Sequence, residues 1–191
     1  MFKYSIFILV FFQLACSETN KGGGTVYSSQ FIPANHHSTT DHAAQFIFSE
    51  YQKLLTGLSN QDTSYLLNAT VSLMQMNDSL ASLPLQLDSN LDQNWKIGLQ
   101  NINAELIGLK NAISVNDMNE VKLAIHMTGL HLLNLIGQIG YQENTIYIFN
   151  EIDEKNEDGY TWLGMQKTAR DPFRAENHKP VTAVQVLQEL K

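Results

Sequence analysis

The chain has 191 residues, of which 43% are hydrophobic and 16% are charged, a composition typical of a globular protein that can bury a core. Its formal net charge of −7, without any cluster of Lys and Arg, excludes the basic surface that nucleic-acid binding requires. The single cysteine excludes an internal disulfide.

The first 15 residues are typical of a bacterial lipoprotein signal peptide. One positive charge precedes an apolar run, Ile6–Phe12, that is too short to cross a bilayer as a helix. Ala15 directly before Cys16 resembles a lipobox, in which the cysteine is lipidated, although Gln13 stands where Leu is usual. We therefore expect a lipid anchor at Cys16, in the inner or outer membrane of a bacterial envelope, with the protein facing the periplasm or the cell exterior. The alternative is an ordinary cleaved signal peptide with an incidental cysteine.

Residues 16–38 are predicted to form a flexible tether, because they are polar and include three consecutive glycines. Three histidines lie at its end and just beyond it: His36, His37 and His42. Imidazoles at this density could bind Cu(II), Ni(II) or Zn(II). A polar, solvated linker is the favoured interpretation, since ligands in a disordered segment lose entropy when an ion orders them.

Four amphipathic helices are predicted next, because apolar residues recur at spacings of three and four. The predicted spans are Thr40–Leu58, Thr63–Leu83, Asn90–Ser114 and Met118–Ile139. Asp41 and Asp62 are the expected N-caps of the first two helices, Pro84 ends the second and Gly140 ends the fourth. Short connections between long helices favour an up-down-up-down four-helix bundle.

The C-terminal part has a different character. Thr145–Phe149 is β-branched and aromatic and predicts a strand, with Tyr160–Leu163 as the returning strand. Asp171-Pro172 predicts a turn, and Val181–Leu190 a short amphipathic helix. The predicted fold is therefore mainly α, with residues 39–191 forming a helical bundle domain that carries a small β-hairpin and a short terminal helix.

Four aromatic side chains are expected to hold this hairpin on the bundle: Phe149, Tyr160, Trp162 and Phe173. Arg170 is expected to pair with Asp171 or with a carboxylate of the bundle. We interpret these roles as structural.

Three motifs near the C-terminus carry a family resemblance: Ile146–Phe149, Gly159–Leu163 and Arg170–Phe173. They follow the aromatic strand, the Gly-x-x-Trp-Leu-like return and the Arg-Asn-Pro-Tyr-like turn of a Bacteroidota domain of unknown function, which the chain resembles from about Phe46 to Phe173. Members of that family occur as exported lipoproteins and as C-terminal extensions of adaptor subunits in heavy-metal efflux systems, usually for copper. The resemblance implies an origin in metal handling and partners among efflux or envelope proteins.

The sulfur ligands of that family are missing here. Its members carry Cys-Pro-Met after the first strand, where this chain has Glu151 and Asp153, and a further cysteine near the position of His178. Thiolates and thioethers select soft ions such as Cu(I), so the resemblance implies a degenerate metal site. Glu151, Asp153 and His178 could form a harder site for copper or another transition-metal ion.

A second set of candidate ligands lies on the fourth helix. Met127 and His131 are four residues apart and therefore share a face, and their sulfur and nitrogen would suit copper if another helix supplied a third ligand. Met74 or Met76 is the candidate for that ligand, although methionines at helical spacing are more often core residues. His126 and His131 differ in direction by about 140°, so they cannot bind one ion.

No motif of an enzyme is present. Lipidation would consume Cys16, the only cysteine, and the sequence has no nucleophile elbow, zinc-protease motif, P-loop or dinucleotide fingerprint. We expect a non-enzymatic, membrane-anchored binding module with a degenerate metal site. The alternative is a purely structural or protein-interaction lipoprotein with no metal role.

Overall fold

The computed structural model describes residues 38–85, 87–141, 143–153, 156–174 and 180–186. These residues contain four helices: α1 Ser38–Ser59, α2 Thr63–Ala81, α3 Ser89–Ser114 and α4 Met118–Ile139. All four predicted helices are confirmed, and α4 has the predicted ends. None of the described helices is both long and apolar enough to cross a membrane.

Aspartates start three of the helices. Asp62, Asp88 and Asp117 lie just before α2, α3 and α4, and each carboxylate accepts a hydrogen bond from backbone N–H groups of the first turn. Such a cap satisfies donors that have no partner within the helix. The prediction that Asp41 caps α1 is wrong, because α1 begins at Ser38 and Asp41 lies in its first turn. There its charge favours the helix through the macrodipole instead.

Gly140 ends α4 as predicted. Its φ of 67° and ψ of 43° are left-handed, and its N–H donates to the carbonyl of Ile136. A residue with a Cβ would be strained in this conformation, which explains why the helix ends at a glycine.

Each helix packs against the next one in sequence, and α1 also packs against α4. Glycines allow the closest approaches. A Cβ at Gly98 would lie 2.6 Å from Leu135 Cδ1, and one at Gly129 would lie 2.5 Å from Tyr51 Oη. Tyr51 is fully buried, and this burial raises the pKa of its phenol. The core is therefore continuous across α1, α3 and α4.

In the described part of the chain, five short strands follow the helices: β1 Tyr147–Asp153, β2 Asn156–Gly164, β3 Thr168–Arg170, β4 Pro180–Thr182 and β5 Gln185–Val186. They form two antiparallel sheets, one with the strand order β2-β1-β5 and the other pairing β3 with β4. The two predicted aromatic strands thus pair with each other, as β1 and β2. Both strands are longer than predicted, because each continues beyond its apolar residues into the segment that connects them.

The predicted C-terminal helix over Val181–Leu190 is wrong in its described part. β4 and β5 occupy these positions, and the N–H of Val184 donates to the carbonyl of Ile148 at 2.9 Å. Residues 187–191 lie outside the described ranges. The short apolar pattern fits a helix or a strand equally, and pairing with distant strands decides between them.

Aromatic stacking joins the first sheet to the core. The rings of Phe149 and Trp162 are stacked with centroids 5.2 Å apart, and those of Tyr160 and Phe173 are stacked at 4.5 Å. Phe149, Trp162 and Phe173 are buried within the same core as the helices. These contacts agree with the predicted role of the four aromatic residues, and β2 packs directly on α4.

Side chains of two helices complete the outer edge of β2. Thr161 and Leu163 are two residues apart on β2, so their backbone groups point to the same edge of the strand. Gln52 Nε2 on α1 donates to the Leu163 carbonyl at 2.8 Å, and His126 Nδ1 on α4 lies 2.9 Å from the Thr161 nitrogen. The bundle thereby supplies the hydrogen bonds that a neighbouring strand would otherwise make.

Candidate functional site

The predicted metal ligands fall in three places. Met127 and His131 lie on α4, one turn apart and both half-buried. Glu151 and Asp153 lie on β1, where the structure describes the backbone but not these side chains. His178 lies outside the described residues, as does the predicted lipidation site, Cys16.

His131 faces a carboxylate that the sequence analysis missed. Its Nε2 lies 3.5 Å from Oε1 of Glu105 on α3, and the two side chains are 27% and 29% exposed. Both groups are therefore held in place by the helix pair and remain open to solvent. An imidazole and a carboxylate are two of the usual zinc and Cu(II) ligands.

The separation of these two atoms fits a shared ion. Two ligands at about 2.1 Å from a tetrahedral ion are about 3.4 Å apart, close to the observed 3.5 Å. Met127 is one turn from His131 and could add a thioether sulfur. Among the residues that the structure describes, no group of three or more His, Cys, Asp or Glu forms a metal site. The pair could therefore supply two of the four ligands of a tetrahedral ion.

Met74 and Met76 do not join this set. Both lie on α2, which packs on α1 and α3, whereas His131 and Met127 lie on α4. Both methionines are half-buried and pack against the core, which is the structural role that methionines at helical spacing usually have.

Glu105 could have been found by counting along the chain. The turn between α3 and α4 is centred on Asn116, and in two antiparallel helices residues equally far from the turn lie opposite each other. Glu105 is 11 positions before Asn116 and His131 is 15 positions after it, which differ by about one helical turn.

His126 points in a different direction from His131, as the spacing predicted. Its ring lies edge-on to Tyr160, with centroids 5.8 Å apart, and its Nδ1 contacts the Thr161 backbone. The His126 ring therefore holds β2 against α4. Burial lowers the pKa of His126, and the hydrogen bond to the Thr161 carbonyl partly offsets this.

His42 at the start of α1 pairs with Glu143, which follows α4. Nearby, the Tyr141 hydroxyl and the Asn144 amide both donate to Gln45 Oε1, the amide at 2.9 Å. His36 and His37 lie outside the described residues. The structure therefore gives His42 a carboxylate partner, and the rest of the predicted histidine cluster lies outside the described residues.

Comparisons with known proteins give no further guidance. No protein-family model, no curated protein and no solved structure matches the chain.

Proposed function

We propose that this chain is a non-enzymatic, lipid-anchored protein of the bacterial envelope that binds a divalent transition-metal ion weakly, through a degenerate site on its helical bundle. The observation that carries the proposal is the pair of His131 and Glu105, which lies across α3 and α4 at the spacing of two ligands on one ion. The resemblance to domains of heavy-metal efflux adaptors supports the same class of ligand.

The proposed architecture is an up-down-up-down bundle. The turns between α1 and α2 and between α3 and α4 are short, which favours antiparallel neighbours. Gly57 near the end of α1 approaches Leu66 near the start of α2, and Gly98 near the start of α3 approaches Leu135 near the end of α4. Both contacts support alternating directions.

The ligand chemistry sets the expected order of affinities. Imidazole and carboxylate are borderline and hard donors, so they favour Cu(II) and Zn(II), with Cu(II) tighter by the Irving–Williams order. Without the two cysteines of the resembling family, Cu(I) should bind poorly. The proposed partners are efflux or envelope proteins, which would pass on or receive the ion, and the membrane would hold the protein through Cys16.

The test is a titration of the mature, lipidated, tag-free protein in detergent with Cu(II), Zn(II) and Cu(I), followed by calorimetry. The His131→Ala and Glu105→Gln variants should each weaken Cu(II) binding at least about tenfold, because each removes one of few ligands. Glu120→Gln is the matched control, since it removes an exposed carboxylate from α4 about three turns before His131.

Three outcomes would contradict the proposed site. Binding that is lost only in a His36→Ala/His37→Ala variant would assign the metal to the tether. Binding that is lost only with Glu151→Ala or Asp153→Ala would assign it to β1. No binding in the wild-type protein would favour the purely structural or protein-interaction lipoprotein.

A further inference from the structure

A cleft of about 220 Å³ lies where the C-terminal half of α1 meets β2 and β3, away from the His131 site. Its apolar lining consists mainly of buried side chains: Leu55, Trp162, Leu163 and Pro172. Its polar lining from α1 and the turn that follows is neutral: Gln52, Thr56, Ser59 and Asn60. The cleft therefore combines an apolar floor with hydroxyl and amide groups, the mixture that small-molecule sites usually have.

Among the residues that the structure describes, Arg170 is the only charged one that lines this cleft. It is exposed on β3, and within the described part of the chain it forms no ion pair. The predicted pairing with Asp171 does not form: Asp171 Oδ1 accepts from the Phe173 N–H at 2.8 Å, and Oδ2 lies 3.8 Å from Arg174 Nε. Within the described ranges, the Arg170 guanidinium thus has no carboxylate partner and faces a cleft in a chain with a net charge of −7.

Arg170 is not held by the C-terminus of α1. A helix C-terminus can attract a cation through its unpaired carbonyls. Here the carbonyls of Thr56, Gly57 and Leu58 already accept backbone hydrogen bonds from the turn that follows, at 3.0–3.1 Å. Arg170 is therefore available to an external anion.

We propose that this cleft binds a small organic carboxylate with an apolar body, either a free acid or the terminal carboxylate of a peptide. The planar guanidinium of Arg170 matches a carboxylate in bidentate geometry. The apolar body would lie against Trp162 and Leu55. A volume of about 220 Å³ is below the roughly 300 Å³ at which pockets for drug-sized ligands begin, so the ligand is a compact one.

Calorimetric titration of the full mature protein with phenylacetate tests this proposal. We expect phenylacetate to bind with a dissociation constant on the order of 1 mM. The uncharged phenylacetamide should bind at least about tenfold more weakly, and Arg170→Gln should weaken phenylacetate binding by the same factor. Lys167→Gln is the matched control, because it removes a neighbouring surface cation that does not line the cleft. N-acetyl-Gly-Phe distinguishes a peptide terminus, which would bind tighter than phenylacetate, from a free acid.

Several results would overturn the proposal: no binding of phenylacetate or of the peptide, equal binding of phenylacetamide, or unchanged binding in Arg170→Gln. Inorganic phosphate binding as tightly as phenylacetate would show an anion site without an apolar component, which also contradicts it. The His131→Ala variant should bind phenylacetate normally, so failure of the metal site and failure of this cleft are separable.

Discussion

At the scale of single residues, His126 shows how a histidine that resembles a metal ligand serves a structural purpose. Its Nδ1 lies 2.9 Å from the Thr161 nitrogen, and a backbone N–H can only donate, so Nδ1 is the acceptor. In this arrangement the ring is neutral, with its proton on Nε2. Protonation at Nδ1 would replace this hydrogen bond with a longer one to the Thr161 carbonyl, 3.2 Å away.

The first prediction follows from the lowered pKa of His126. An unfolded histidine titrates near 6.5, and the folded one below it, so between these values the unfolded state binds more protons. The stability that the neutral ring contributes is present above pH 6.5 and is lost as the pH falls toward the folded pKa. Urea unfolding at about pH 7.5 and about pH 5.5 should show this loss in the wild type and a smaller one in His126→Gln. An unchanged slope in His126→Gln would rule out this role.

The second prediction concerns the contact between α1 and α4. Gly129→Ala would place a Cβ 2.5 Å from Tyr51 Oη in the buried core, which should lower the free energy of unfolding by about 1–3 kcal/mol. Tyr51→Phe removes that oxygen, so the double variant should recover part of the loss, as a double-mutant cycle would measure.

Gly108→Ala is the matched control for this clash. Gly108 also lies within a helix, but a Cβ there would meet nothing within 4 Å. Alanine has the higher helix propensity, so this variant should gain up to about 1 kcal/mol. Equal effects of the two substitutions would show that propensity, and not the contact with Tyr51, decides the outcome.

At the scale of elements, the sequence predicts what local interactions determine. The bounds of α4 follow from the cap at Asp117 and the left-handed Gly140, both within a residue of the helix. The strands β4 and β5 could not be predicted in the same way, since their pairing partners lie far away in sequence. The same holds for the candidate site: His131 could be placed on a face of α4, whereas Glu105 becomes its neighbour only when two helices pack.

The third prediction tests the start of α3. Asp88 accepts hydrogen bonds from the backbone N–H groups of Asn90 and Leu91 at 3.0 and 2.8 Å. Asp88→Ala should lower the free energy of unfolding by about 1 kcal/mol. Asp88→Ser should retain most of the wild-type stability, because serine also caps helices. Asp92→Ala, which removes an exposed pair with Lys96, should cost no more than about 0.5 kcal/mol. Equal losses in the Ala and Ser variants would contradict capping.

At the scale of the whole molecule, three faces of α4 make three different sets of contacts. One face contributes to the core, a second holds β2 through His126, and a third presents His131 to Glu105 on α3. The cleft at Arg170 lies on the side of α1 and the small sheets. Because these sites depend on different contacts, a substitution at one should leave the others intact, which makes the proposed binding functions separable by experiment.

The last prediction concerns the anchor. Cys16→Ser should remove the lipid attachment, so the protein should move from the membrane fraction to the soluble fraction and should no longer incorporate labelled palmitate. Its thermal unfolding should match that of the wild-type protein, because Cys16 precedes Ser38, the first residue of α1, by 22 positions and the substitution exchanges only one side-chain atom. Two lipid chains are needed for stable attachment, whereas a signal peptide that is simply cleaved leaves none. A wild-type protein that incorporates no palmitate and is already soluble would therefore identify Cys16 as incidental and leave the binding proposals unaffected.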